Sequence, residues 1–380
     1  MKWRVPLYKM TWDNADVRSV TDVIRRGSYW AVGPEILDLE EETQKVIGTR
    51  YAVSFNSGTS ALQSALLAYD VCDKEVIVPS FTFISTANAV VLAGGKPVFA
   101  ETEPETFGLD VESVKNKITK NTKAIIPIHY GGCGCKDILE LKKLSEDNNL
   151  ILIEDAAESF GATVNGKQVG SFGDAGMFSL CQTKTITCGE GGIVTTNDKE
   201  INVVMKLLRS HGRLEKKGDY FTDIGMPDYV TLGYNFRLPS MNAALALSQL
   251  KRLNNYIELR RKIALIYDDY LGRISQIRTP IEPKGFNHTY QMYTLLFKDE
   301  DTRDNVQRFL TNRGIMSKIY FEPVHLTTYY QQEYGYQEGD LPQTEELSKR
   351  VLTIPLYPSL SLRNIQYIVN SIKGYFNGIN

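Results

Sequence analysis

Lys184 stands in the stretch SLCQTKTITCGEGGIVTTND, between a tract of small and polar residues and the glycine turn Gly189-Glu190-Gly191-Gly192. An amine becomes a covalent catalyst when it condenses with a carbonyl, although a lysine on a loop without suitable neighbours is a surface charge. Asp155 follows the apolar run LILIE. A carboxylate at the end of a buried strand requires a cationic or hydrogen-bonding partner, which a helix cap or a structural salt bridge would also supply. A third group is Asn56-Ser57-Gly58-Thr59-Ser60, after the apolar run AVSF and before the helical pattern ALQSALLAYD. Free N–H groups at a helix start, with the Gly58 backbone and the Thr59 and Ser60 hydroxyls, suit a phosphate; the same residues also serve as ordinary caps. Phe83, in VPSFTFISTAN, offers an aromatic face or a core side chain.

These groups need a scaffold that delivers them to one place. Between Tyr51 and Thr196 short apolar runs (AVSF, EVIVPSF, KPVFAE, KAIIPIHY, LILIEDAA, AGMFSL, GGIVTT) alternate with helical stretches such as KDILELKKLSEDNN. This rhythm is α/β with a largely parallel sheet, and runs such as VIVP and LILIED read as strands buried on both faces. In such sheets ligands gather beyond the carboxyl ends of the strands, where Ser57, Asp155 and Ser179 all fall. From Met241 a long helical pattern runs to Ile274, and the remainder mixes expected strands (YQMYTLLFK, SKIYF) with helices (TRDNVQRFLTNRG, RNIQYIVNSIKGYF). The expectation is a large domain over 1–245 and a smaller α+β domain over 246–380. Residues 214–230 read as a polar, Gly- and Pro-punctuated loop.

Composition narrows the class. The 380 residues carry 43 Lys plus Arg against 45 Asp plus Glu, a formal charge of −2 with no long run of one sign, which argues against nucleic acid as a partner. No apolar run approaches the roughly 18 residues of a membrane span, and the opening residues lack a signal-peptide core, so a cytoplasmic protein is expected. Five cysteines, at 72, 133, 135, 181 and 188, do not suggest a secreted disulfide framework. Cys133-Gly-Cys135 lacks the spacing and companion ligands of a metal site, so no metal is expected.

A helix start for phosphate, a buried acid and an amine on one sheet edge are what pyridoxal 5′-phosphate (PLP) requires. Its aldehyde needs the lysine, and its pyridine nitrogen needs the carboxylate that keeps the ring an electron acceptor. FNSGTSAL, VPSFTFISTANAV, IEDAAESFGA, the segment from GSFGDAGMFS through Lys184 to TITCGEGGIVTTND, and LGYNFR resemble the motifs of the DegT/StrS family of sugar aminotransferases, of fold type I, over nearly the whole chain. The resemblance implies that Lys184 binds the cofactor covalently and Asp155 meets the pyridine nitrogen. It stacks Phe83 on the ring, puts Gly58, Thr59, Ser60 and Ser179 around the phosphate, and brings Asn235 to the phosphate from a neighbouring subunit, making a homodimer with its sites at the interface. Glu158 stands where Gln or His is frequent, near the cofactor's phenolic oxygen. Trp30, Gly33, Tyr320 and His325 are implied substrate contacts, with packing or loop roles as alternatives.

The implied reaction moves an amino group from L-glutamate to a nucleotide-linked keto sugar. The EDAAE and GEGG motifs resemble the perosamine-synthase-like group acting at C4 of 4-keto-6-deoxy sugars. A 3-keto-sugar or keto-cyclitol aminotransferase is the alternative within enzymes, and a PLP-binding regulator without turnover the alternative outside them. Cysteine desulfurases share the broad fold, but Cys181 and Cys188 flank Lys184 too closely to serve as their nucleophile.

Overall fold

The computed structural model describes residues 3–214 and 228–378. Seven strands form one sheet: β1 (Tyr51–Phe55), β2 (Glu75–Pro79), β3 (Lys96–Ala100), β4 (Thr122–Ile125), β5 (Ile151–Asp155), β6 (Ala175–Ser179) and β7 (Gly192–Thr196). Their spatial order is β1-β7-β6-β5-β4-β2-β3. Each apolar run read as a strand between 51 and 196 supplies one of them. Neighbours pair in parallel except at β7, which is antiparallel to both β1 and β6. That inversion has a local cause. Leu180 N–H bonds Gly191 O at 2.8 Å, closing the base of the Lys184 loop so that the chain returns beside β6 without crossing the sheet.

The strands read as unbroken apolar runs because successive side chains enter two separate cores. Ile77 and Leu152 join one cluster, and Val76, Val78 and Ile153 the other, on the opposite face. Helix Gly58–Ala68 lies almost wholly buried against the sheet, with Ser57 as its N-cap accepting Ser60 N–H at 3.1 Å.

The long helical pattern after Met241 breaks at Lys251-Arg252 into helices Ser240–Leu250 and Leu253–Leu271. The second helix joins two units. Leu253, Tyr256 and Ile257 pack into a core of the large sheet, whereas Ile263, Ala264, Tyr267 and Leu271 pack into a separate core with β8 (Ile277–Arg278), β9 (Tyr293–Phe297) and β10 (Val351–Ile354). A division at 245 thus falls inside a helix, and the change of core occurs along the next one. Val5 also belongs to the smaller unit, bridged to Ile315. SKIYF forms no strand, since Lys318 alone pairs, with Thr353, before Tyr320 and Phe321 turn towards the large unit. Most of the expected 214–230 loop, residues 215–227, lies outside the described residues; its ends are tied by an Arg213–Tyr229 bridge. Among the described residues, no helix is long and apolar enough to cross a membrane, and no His/Cys/Asp/Glu group could hold a metal ion.

Candidate active site

A cavity of about 420 Å³ opens at the carboxyl edge of the sheet and extends to the smaller unit. Ser57, Gly58 and Thr59 line it from the end of β1, Asp155 from the end of β5 and Ser179 from the end of β6. Two glycines keep this edge open. A Cβ on Gly58 would lie 3.1 Å from Ser179 Cβ, and one on Gly192 would lie 2.3 Å from Ser57 O, so neither the helix start nor β7 tolerates bulk there.

Adjacent residues of β5 serve opposite faces. Glu154 points into the interior, where its oxygens accept N–H bonds from Phe172 (2.6 Å), Gly173 (2.8 Å) and Gly170 (2.7 Å). His129 Nδ1 accepts from Cys135 N–H at 2.8 Å, which leaves Nε2–H to donate to Glu154 at 2.8 Å. The end of β5 is therefore anchored from below. Asp155 faces the cavity, only 3 % exposed, accepting from Thr86 Oγ1 at 2.7 Å and Ala157 N–H at 3.1 Å. Burial pushes its carboxyl above the ordinary range, against the opposing pull of those two donors and of Lys184.

Lys184 Nζ enters the same cavity and lies 3.3 Å from Glu158 Oε1. The other Glu158 oxygen accepts Gly131 N–H at 2.9 Å. The Lys184 loop is gripped from the smaller unit by Gln291, whose Nε2 donates to Thr183 O at 2.5 Å and whose Oε1 accepts from Thr185 Oγ1 at 2.9 Å. Tyr130 O–H donates to Tyr320 O at 2.6 Å, placing Tyr320 on the cavity wall, where burial raises its phenol.

Of the residues singled out in sequence, Gly58, Thr59, Phe83, Asp155, Glu158, Ser179, Lys184 and Tyr320 line this one cavity. Phe83 is 58 % exposed, so it is no core side chain. Ser60 is turned away, its hydroxyl held by Asn56 Oδ1 at 2.6 Å and Ser57 O at 3.0 Å, and Ser57 lines the cavity in its stead. Asn235 does not line the cavity; its carbonyl accepts from Asn56 Nδ2 at 3.5 Å. Trp30 and Gly33 lie outside it, with the Trp30 indole N–H on Val23 O and Gly33 capping helix Pro34–Ile47.

The expectation for His325 is corrected. Its ring is fully buried, bonded to Ser80 Oγ (2.7 Å) and Glu345 Oε1 (3.1 Å), because the chain after Phe321 turns into the interior, where Val324 N–H meets Ser80 O. Burial holds its imidazole below the usual value.

Several functional candidates escaped sequence reading. Thr86, which holds Asp155, had a signal in the strand-to-helix position of ISTAN. Gln291, Tyr8 and Lys318 had none, since only chain folding brings them to this edge.

A buried acid facing a cavity, an amine beside it, and a helix start kept clear by Gly58 fit PLP as a group. Residues 11–373 match the model of the DegT/DnrJ/EryC1/StrS aminotransferase family. The chain belongs to this family. It is a PLP-dependent sugar aminotransferase. It is 35 % identical to the GDP-perosamine synthase of Vibrio cholerae over 99 % of this chain and 100 % of that one. It is 34 % identical to the UDP-N-acetyl-3-dehydro-alpha-D-glucosamine 3-aminotransferase of Acidithiobacillus ferrooxidans over 90 % of this chain and 88 % of that one. Among solved structures, Helicobacter pylori PseC, an aminotransferase involved in the biosynthesis of pseudoaminic acid, superposes with a TM-score of 0.92 at 28 % identity, covering 100 % of both chains.

Proposed function

We propose that this enzyme transfers an amino group from L-glutamate to a nucleotide-linked 4-keto-6-deoxy sugar, as in perosamine-type or viosamine-type amino sugar synthesis. The observation that carries the reading is that Lys184 and Asp155 face one cavity built on the start of helix Gly58–Ala68. In this reading Lys184 binds the cofactor covalently, Asp155 partners its pyridine nitrogen, and Gly58, Thr59 and Ser179, joined by Ser57, hold its phosphate. Phe83 covers a ring face. When bound, the cofactor supplies an electron sink for the charge left on the substrate carbon.

The chain's own groups do the rest. Lys184 Nζ, once displaced, would carry the proton between the substrate carbon and C4′ of the cofactor, a role that needs a mobile amine at the reacting edge. Asp155, fixed by Thr86 and Ala157, keeps a negative charge where the ring nitrogen needs one. Gln291 holds the Lys184 loop so that the amine stays in reach, and Tyr320 and Phe321 wall off water from the smaller unit. The space bounded by Tyr8, Gln291, Lys318 and Tyr320 receives the sugar nucleotide and, in its turn, glutamate.

We further read the enzyme as a homodimer whose partner brings Asn235 towards the phosphate, and as cytoplasmic, which suits five free cysteines.

The V. cholerae relative's name favours C4 and the A. ferrooxidans relative's name C3, so a 3-keto sugar or keto-cyclitol is the second acceptor to test. Incubation with glutamate and a panel of nucleotide-linked keto sugars, with the new amine located by NMR, decides between them. Amination at C4 is expected. Amination at C3 overturns the choice of carbon, and no turnover on any acceptor with cofactor normally bound leaves a non-catalytic regulator.

A further inference from the structure

We propose that Glu158 is the counter-ion of the Lys184 nitrogen, both when the amine is free and when the cofactor is attached to it. The proposal rests on the PLP reading above and alters one part of it. The sequence motif placed residue 158 beside the cofactor's phenolic oxygen, whereas the structure puts one carboxylate oxygen 3.3 Å from Nζ and ties the other to Gly131 N–H at 2.9 Å. Glu158 is 7 % exposed, and its two oxygens are taken by Lys184 Nζ and Gly131 N–H. Among the described residues it is the one carboxylate within ion-pair distance of Nζ.

The choice of carboxylate over amide carries the argument. A glutamine here has one acceptor oxygen for two donors, so it would keep one of the two hydrogen bonds and lose the charge. Covalent attachment of the cofactor would retain the nitrogen atom itself, so Glu158 would be the carboxylate at hand for the attached nitrogen as well. An opposite charge within about 4–6 Å favours the protonated form. When a substrate amine displaces Lys184, the same carboxylate keeps the freed amine in the cavity by accepting its N–H.

The surrounding groups leave this role to Glu158. Asp155 is engaged by Thr86 and Ala157. Tyr130 donates to Tyr320 O, and Lys318 lies over the Tyr320 ring at 4.8 Å. Cys181 and Glu190 lie on the Lys184 loop and Tyr8 also lines the cavity, none of them ion-paired with Nζ.

The test compares native, Glu158→Gln and Glu158→Asp proteins. In the first arm the holoenzyme is titrated with pH while the cofactor absorbance that reports protonation of the attached nitrogen is followed. The Gln variant is expected to have a midpoint lower by about 1–3 pH units, with the Asp variant returning towards the native value. In the second arm cofactor-free protein is acylated competitively and Lys184 is compared with exposed Lys120 by mass spectrometry. Lys184 in the Gln variant is expected to be labelled more readily relative to Lys120 than in the native protein, because Nζ is no longer held against the Glu158 carboxylate. A midpoint and a reactivity unchanged by Glu158→Gln would overturn the proposal and leave residue 158 a neutral hydrogen-bonding spacer. If borohydride fixes no cofactor on native Lys184 while the labelling contrast persists, the cofactor assignment fails and the ion pair stands.

Discussion

Replacing Asp155 by Asn is expected to move the cofactor-free and cofactor-loaded proteins in opposite directions. In the cofactor-free chain Asp155 is a desolvated carboxylate with two hydrogen bonds, and its nearest cation, Lys184, is already paired with Glu158. Burial raises its pKa. A group raised in this way lends stability below the carboxylate's ordinary range and loses it as pH climbs through the raised value, so near neutrality the ionised form costs the fold. Asn keeps the shape and removes the charge, which relieves on the order of 1–2 kcal/mol. For 380 residues, roughly 1 °C of melting temperature accompanies each kcal/mol, so the free Asn variant melts about 1–3 °C higher at neutral pH. The difference fades on acidification towards the ordinary carboxylate range.

With PLP bound the order reverses, because the stabilisation that cofactor adds by mass action shrinks when its ring nitrogen loses an anionic partner. Turnover falls by about 100–1,000-fold, the usual loss when one preorganised electrostatic contact is removed. Differential scanning calorimetry with and without cofactor, at neutral and mildly acidic pH, reads all of this except turnover. A free Asn variant that melts well below the native protein would refute the reasoning, since it would make the carboxylate a structural support instead of a charge kept for a ligand.

Three further outcomes are expected. Lys184→Ala should fold normally yet retain no cofactor after borohydride treatment and denaturation, as read by intact mass; a reducible adduct surviving at another residue would displace Lys184 from its role. Gly58→Ala sets a Cβ 3.1 Å from Ser179 Cβ and should weaken PLP binding about tenfold, about 1.4 kcal/mol, in a spectroscopic titration, and unchanged affinity would show the phosphate lies elsewhere. His325→Ala should cost about 2–4 kcal/mol in denaturant titration, through the lost Ser80 and Glu345 contacts, with KM for both substrates unchanged. A raised KM with native stability would return His325 to the substrate site.

The strands of the large sheet and the chemistry at their ends were legible in the sequence. Both rest on local information: a strand buried on both faces must be apolar throughout, and Asp155 or Ser57 at its end is a polar residue with a defined place on the sheet edge. Hence Lys184, Asp155, Gly58 and Ser179 could be assigned to one site before any coordinate was known. What the sequence left open was every contact made between segments distant in the chain. The Gln291 clamp on the Lys184 loop depends on how two cores meet across helix Leu253–Leu271, the burial of His325 against Ser80 and Glu345 on the return of the chain after Phe321, and the 3.3 Å approach of Glu158 to Lys184 on how the turns after β5 and β6 face one another. A motif fixes which residues share an edge; the direction in which each side chain turns from that edge is decided by packing, and packing is a property of the whole chain.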